Sequence, residues 1–88
     1  MTEYKNYVPK AVAVGTSGAQ LVDYDESRTV LIVFNQGSED VQLYMNSVDA
    51  AFVTIPVGYG ISFKEITPIN EVNAKTTSGT STLTVWEA

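Results

Sequence analysis

Turn-forming residues recur about every ten positions along this chain, and the stretches between them are too short for helices but long enough for strands. The residue bias agrees. Val, Thr and Ile fill 27 of 88 positions while Leu fills only four, a β-branched excess that suits a pleated surface. Eight segments follow from alternation and punctuation: Lys10–Val14, Ala19–Val22, Arg28–Asn35, Asp40–Met45, Ala51–Ile55, Ile61–Glu65, Glu71–Thr76 and Thr80–Glu87. The inward sets are Val12 with Val14, Val41 with Leu43 and Met45, Ile61 with Phe63, Val72 with Ala74, and Leu83 with Val85. Arg28–Asn35 carries an unbroken apolar run, Val30 to Phe34, so it is expected to be central, with both faces covered. Asn35 and Gly37 are read as turn residues able to take positive φ. The fold class is therefore all-β: an antiparallel β-sandwich, jelly-roll-like, with two sheets of about four short strands. A small barrel stays open. Residues 1–10 are expected to form an extended N-terminal arm and 11–88 a single domain.

Missing residue types exclude several kinds of chemistry. With no Cys and no His there is no thiolate nucleophile, imidazole base, disulfide or usual zinc site. A carboxylate pair could in principle hydrolyse a glycoside, but so short a chain offers no deep cleft, and no enzyme or cofactor is expected. The net charge of −5 opposes a phosphate backbone, and no Lys/Arg-rich patch exists to hold an anionic membrane. Neither nucleic acid nor membrane is an expected partner. Val30–Phe34 is too short to span a bilayer, and the first ten residues lack the apolar core of a signal peptide. A chain of this size buries about 63% of its unfolded surface, a marginal core that a second packing surface would help.

Few side chains stand out as candidates for a site. The loop Asp23-Tyr24-Asp25-Glu26 could offer oxygens to a cation, but it lacks the glycine and spacing of a calcium loop and reads as a solvated acidic turn, as does Glu39-Asp40. Trp86, Tyr44 and Tyr59 could form an aromatic platform for a sugar. A subunit interface is the preferred reading for Trp86, which shares its face with Thr82 and Thr84, and packing within the monomer is its equal alternative. Arg28, the single arginine, is read as a local partner of Asp25 or Glu26, or more sharply as an intersubunit contact. In the arm, Tyr4, Tyr7, Val8 and Pro9 are read as a docking segment for another surface.

A series of short patterns runs through the chain in order: Val12 to Thr16, Ser27-Arg28, Val30 to Asn35, Gly37-Ser38, Val41 to Tyr44, Pro56 to Gly60 and Gly79 to Glu87. This order resembles the small β-sandwich structural proteins of tailed bacteriophages, of the capsid decoration or cement type. The resemblance implies a non-enzymatic virion protein on the capsid surface, often a homotrimer, whose partner is the major capsid protein and whose terminal segment makes the contact. Tail and head-fibre components look similar, and a carbohydrate-binding module is the alternative in another class.

Overall fold

The computed structural model describes residues 9–46, 51–64 and 66–88. Every regular element among them is a strand: β1 Lys10–Val14, β2 Ala19–Val22, β3 Leu31–Asn35, β4 Val41–Met45, β5 Val53–Ile55, β6 Gly60–Phe63, β7 Val72–Thr76 and β8 Ser81–Glu87. They form two antiparallel four-stranded sheets, β1-β8-β3-β6 and β2-β7-β4-β5. Pairing follows one rule. β1 joins β8, β2 joins β7, β3 joins β6 and β4 joins β5, so the chain is one long hairpin with its tip between β4 and β5. Wrapping that hairpin on itself adds the β3–β8 and β4–β7 pairs and closes a jelly-roll sandwich.

The core lies between the sheets and takes up most of the inward set that alternation identified, together with Leu21, Leu31 and Val33, while Met45, also expected inward, is only half-buried. Val14, Leu21, Leu31, Val33, Val41, Leu43, Val72 and Leu83 are fully buried, with Val12, Ile61 and Phe63 packed against them. All four leucines are in that group, so the scarce residue sits where bulk without branching at Cβ fills the centre. A register shift between Gln20 and Val22 lets β2 bury both Leu21 and Val22, which plain alternation would not allow.

Three expectations are corrected. β3 is central, but its outer side is not fully covered by the described residues: Ile32 is half-buried and Phe34 is 38% exposed. The strand also begins at Leu31 rather than Arg28, because the Thr29 and Val30 amides donate to the Ala88 carbonyl at 2.6 and 3.0 Å and close the sheet end there. Gly37 does not use positive φ; that conformation belongs to Gly18, Gly58, Gly79 and Asn46. Gly37 is needed for a close approach instead. A Cβ there would stand 1.9 Å from Ser81 Oγ and 2.4 Å from the Thr82 nitrogen.

Asn35 is the last residue of β3 and not a turn residue, and its amide side chain is fully buried. Its Nδ2 donates to the carbonyls of Glu39 and Ile55 at 2.8 and 2.9 Å, while its Oδ1 accepts from the Gly37 amide at 3.1 Å and the Ser81 hydroxyl at 2.7 Å. Its backbone bonds the β5–β6 turn through the Tyr59 carbonyl and the Gly58 amide. One side chain therefore ties the β3–β4 loop to strands of both sheets. Asn35→Leu keeps comparable bulk but strands two carbonyls, an amide and a hydroxyl in the interior, and should cost about 3 kcal/mol or more. Urea unfolding checks this; a midpoint within error of the parent would show that the amide network is dispensable.

Candidate interaction surfaces

The two sheets present outer faces of opposite chemistry. On β1-β8-β3-β6 the outward positions are Ala11, Ala13, Thr82, Thr84, Trp86, Ile32, Phe34, Gly60 and Ser62, with no charge among them. Register places Trp86 directly beside Ile32, and Phe34 between Thr84 and Gly60, so the large apolar groups form one contiguous strip. Phe34 lies over bare backbone on its β6 side, since a Cβ at Gly60 would come within 3.0 Å of its ring. On β2-β7-β4-β5 the outward positions are Gln20, Asn73, Lys75, Gln42, Tyr44 and Thr54, all polar or amphipathic. The charge-free face is the kind of surface that a partner covers.

The three aromatic residues of the proposed sugar platform do not come together. Trp86 lies on the charge-free face, half-buried. Tyr44 lies on the opposite, polar face, where its hydroxyl donates to Gln42 Oε1 at 2.9 Å and the Lys75 ammonium stands 4.9 Å from its ring centre. Tyr59 projects from the β5–β6 turn, 66% exposed. Sheet membership separates Tyr44 from Trp86, because β4 and β8 belong to different sheets and each side chain lies on its own sheet's outer face. Pro9 is exposed just ahead of β1, while Tyr4, Tyr7 and Val8 lie outside the described residues.

Arg28 proves to be an internal clamp at the end of the sandwich where β8 finishes. It is 4% exposed, and its Nε donates to Glu87 Oε2 at 2.9 Å, an ion pair between residues 59 positions apart. Its Nη1 donates to the Pro68 and Asn70 carbonyls at 2.7 and 3.1 Å, and its Nη2 to the Asp23 carbonyl. Sequence nearness pointed to Asp25 or Glu26 as its partner; the fold instead brings together loop 23–30, loop 64–71 and the end of β8 around the guanidinium fork. All three guanidinium nitrogens of Arg28 donate within the chain, so it shapes the loop end rather than presenting itself to a partner. That end carries exposed Tyr24, Ile69 and, most open of all, Ile66 at 89%.

The acidic turn is ordered by its own chain. Asp25 Oδ1 accepts from the Ser27 amide at 3.0 Å and hydroxyl at 2.7 Å, and the Asp25 amide donates to the Ile69 carbonyl at 2.8 Å. Among the described residues no three acidic side chains gather closely enough to hold a metal ion. Comparison with protein-family models, with curated proteins and with solved structures gives no match for this chain. Whatever the protein does must therefore be read from its own surfaces.

The clamp yields a test that separates charge from geometry. Glu87 is 39% exposed, so Glu87→Gln should cost under about 1 kcal/mol, whereas Arg28→Met leaves three backbone carbonyls without their donor and should cost about 3 kcal/mol. Equal losses in denaturant unfolding would make the ion pair, and not the carbonyl bonds, the source of the stability.

Proposed function

We propose that this chain is a non-enzymatic virion structural protein that binds the outer surface of an assembled bacteriophage capsid and stabilises it. The observation that carries the reading is the charge-free outer face of β1-β8-β3-β6, with Trp86, Ile32 and Phe34 at its centre, on a chain whose net charge is −5. A face without charge can be covered by a partner without desolvating an ion, and here that face is one side of one sheet. The jelly roll supports the class by analogy, since the architecture recurs in capsid and lectin domains. The sequence patterns that resemble decoration proteins point the same way.

Area decides how such a contact has to work. Four strands about 4.8 Å apart and five residues at about 3.3 Å each give a face of roughly 320 Å², well short of the ~800 Å² per partner of a stable pairwise interface. The sheet face therefore needs help, from the N-terminal segment, from sister copies in a trimer, or from both. A repeated lattice supplies the remainder, because a protein that binds the assembled shell better than its free subunits shifts assembly by mass action, and many copies add.

Two outcomes follow. Added to particles that lack it, the protein should raise the temperature at which they rupture, and Phe34→Lys or Trp86→Lys should abolish the rise while leaving the fold intact; wild-type protein without effect on rupture would overturn the reading. Removing Met1–Pro9 should abolish particle binding with the sandwich still folded, as judged by sedimentation with particles and by circular dichroism. Retained binding would mean that the sheet face suffices and the arm is not a contact.

A further inference from the structure

The polar sheet carries a second surface that capsid docking leaves unused. A groove of ≈ 400 Å³ lies on the outer side of β2, β7 and β4, within the ~300–1,000 Å³ range of small-molecule sites. Register lines up three side chains straight across it: Gln20 is opposite Asn73, and Asn73 is opposite Tyr44. Lys75 and Gln42 form the next row, directly opposite each other. Several of these groups are held in place. Asn73 Nδ2 donates to Glu71 Oε2 at 2.7 Å and to the Asn46 carbonyl, Gln20 Nε2 donates to Asp23, and Gln42 fixes the Tyr44 hydroxyl.

From this arrangement we propose that the groove is a binding site for a neutral sugar, with Gln20, Asn73 and Glu71 accepting hydroxyl protons, Lys75 donating, and Tyr44 as the apolar floor. Asn73 Nδ2 uses both of its protons and Gln20 Nε2 one, which leaves the two side-chain carbonyl oxygens, and the second carboxylate oxygen of Glu71, as acceptors among the lining residues. Vicinal sugar hydroxyls need such a mixture of fixed acceptors and a mobile donor. Charge selects against the other ligand classes. Glu71 and Lys75 cancel locally, so neither a phosphate nor a metal cation gains from the site, and the chain's net charge opposes anions further. Lys75 covers the Tyr44 ring, and Tyr44 is only 7% exposed, so stacking requires the flexible lysine to swing aside. The groove faces away from the charge-free sheet and stays open when that sheet is covered.

Isolated protein tests the proposal without particles, so its failure would leave the docking reading standing. Methyl α-glucoside, methyl β-galactoside and N-acetylglucosamine should be titrated while amide shifts are followed by NMR. At least one should bind in the millimolar range, with shifts confined to β2, β7, β4 and the turns beside them. Gln20→Ala and Lys75→Ala, both on the outer face, should each weaken binding about fivefold with the rest of the amide spectrum unchanged. Absence of shifts with all three sugars, shifts centred elsewhere, unaltered affinity in both variants, or tighter binding of N-acetylneuraminic acid than of the neutral sugars would each overturn it.

Discussion

Burying an amide in the interior of so small a sandwich is a commitment that the surrounding chain has to honour completely. Asn35 has two donors and two acceptor sites on its side chain, and all four are met, from the β3–β4 loop, β5 and β8. Those partners come from residues 37, 39, 55 and 81, so the network exists only when the long hairpin is wrapped and cannot form in any single hairpin of it. Gly37 follows from the same constraint: the loop must pass so close to Ser81 that no side chain fits. Arg28 does the equivalent at the opposite end, drawing two crossing loops and the end of β8 to one guanidinium. A sandwich with thin sheets and crossing connections is weakest at its ends, and in this chain each end is closed by one buried polar side chain.

Strands were legible in the sequence because period-two alternation and turn chemistry are local signals. Lys10–Val14 and Ala19–Val22 match the structure residue for residue, and the others differ only at their ends. What failed were readings that need to know what lies across the fold. Asn35 looks like a turn former because asparagine usually is one, and nothing within ten residues reveals Ser81 or Ile55 as its partners. Arg28 follows three acids, so proximity along the chain named the wrong one; Glu87 is 59 positions away. The aromatic triad failed for the same reason, since parity fixes a side chain's face on its own sheet but not which sheet that strand joins.

The one local reading that failed in substance is also the most informative. An unbroken apolar run, Val30 to Phe34, predicts a strand covered on both faces, and the described residues cover β3 on one. Double coverage is a statement about the finished environment, which need not be supplied by the same polypeptide. Ala11, Ala13, Thr82 and Thr84 around the run are small and neutral, as residues beneath a close-packed partner would be, whereas the other sheet's outer positions are amides, a lysine and a hydroxyl-bearing ring. The difference between the two faces is thus a property of whole rows of residues.

That asymmetry also fixes how strong any single contact can be. A face of a few hundred Å² without charge gives little long-range steering and little affinity alone, so occupancy of a surface depends on repetition and on added contact from neighbouring chain. Such a protein gains most where identical sites recur at fixed spacing, because each copy then stabilises the same arrangement that creates its site. A single sheet face suits that role better than a deep pocket would. On the proposed reading a flat face can seat on a seam between two subunits, and a neutral one leaves the acidic remainder of the chain pointing away from that contact.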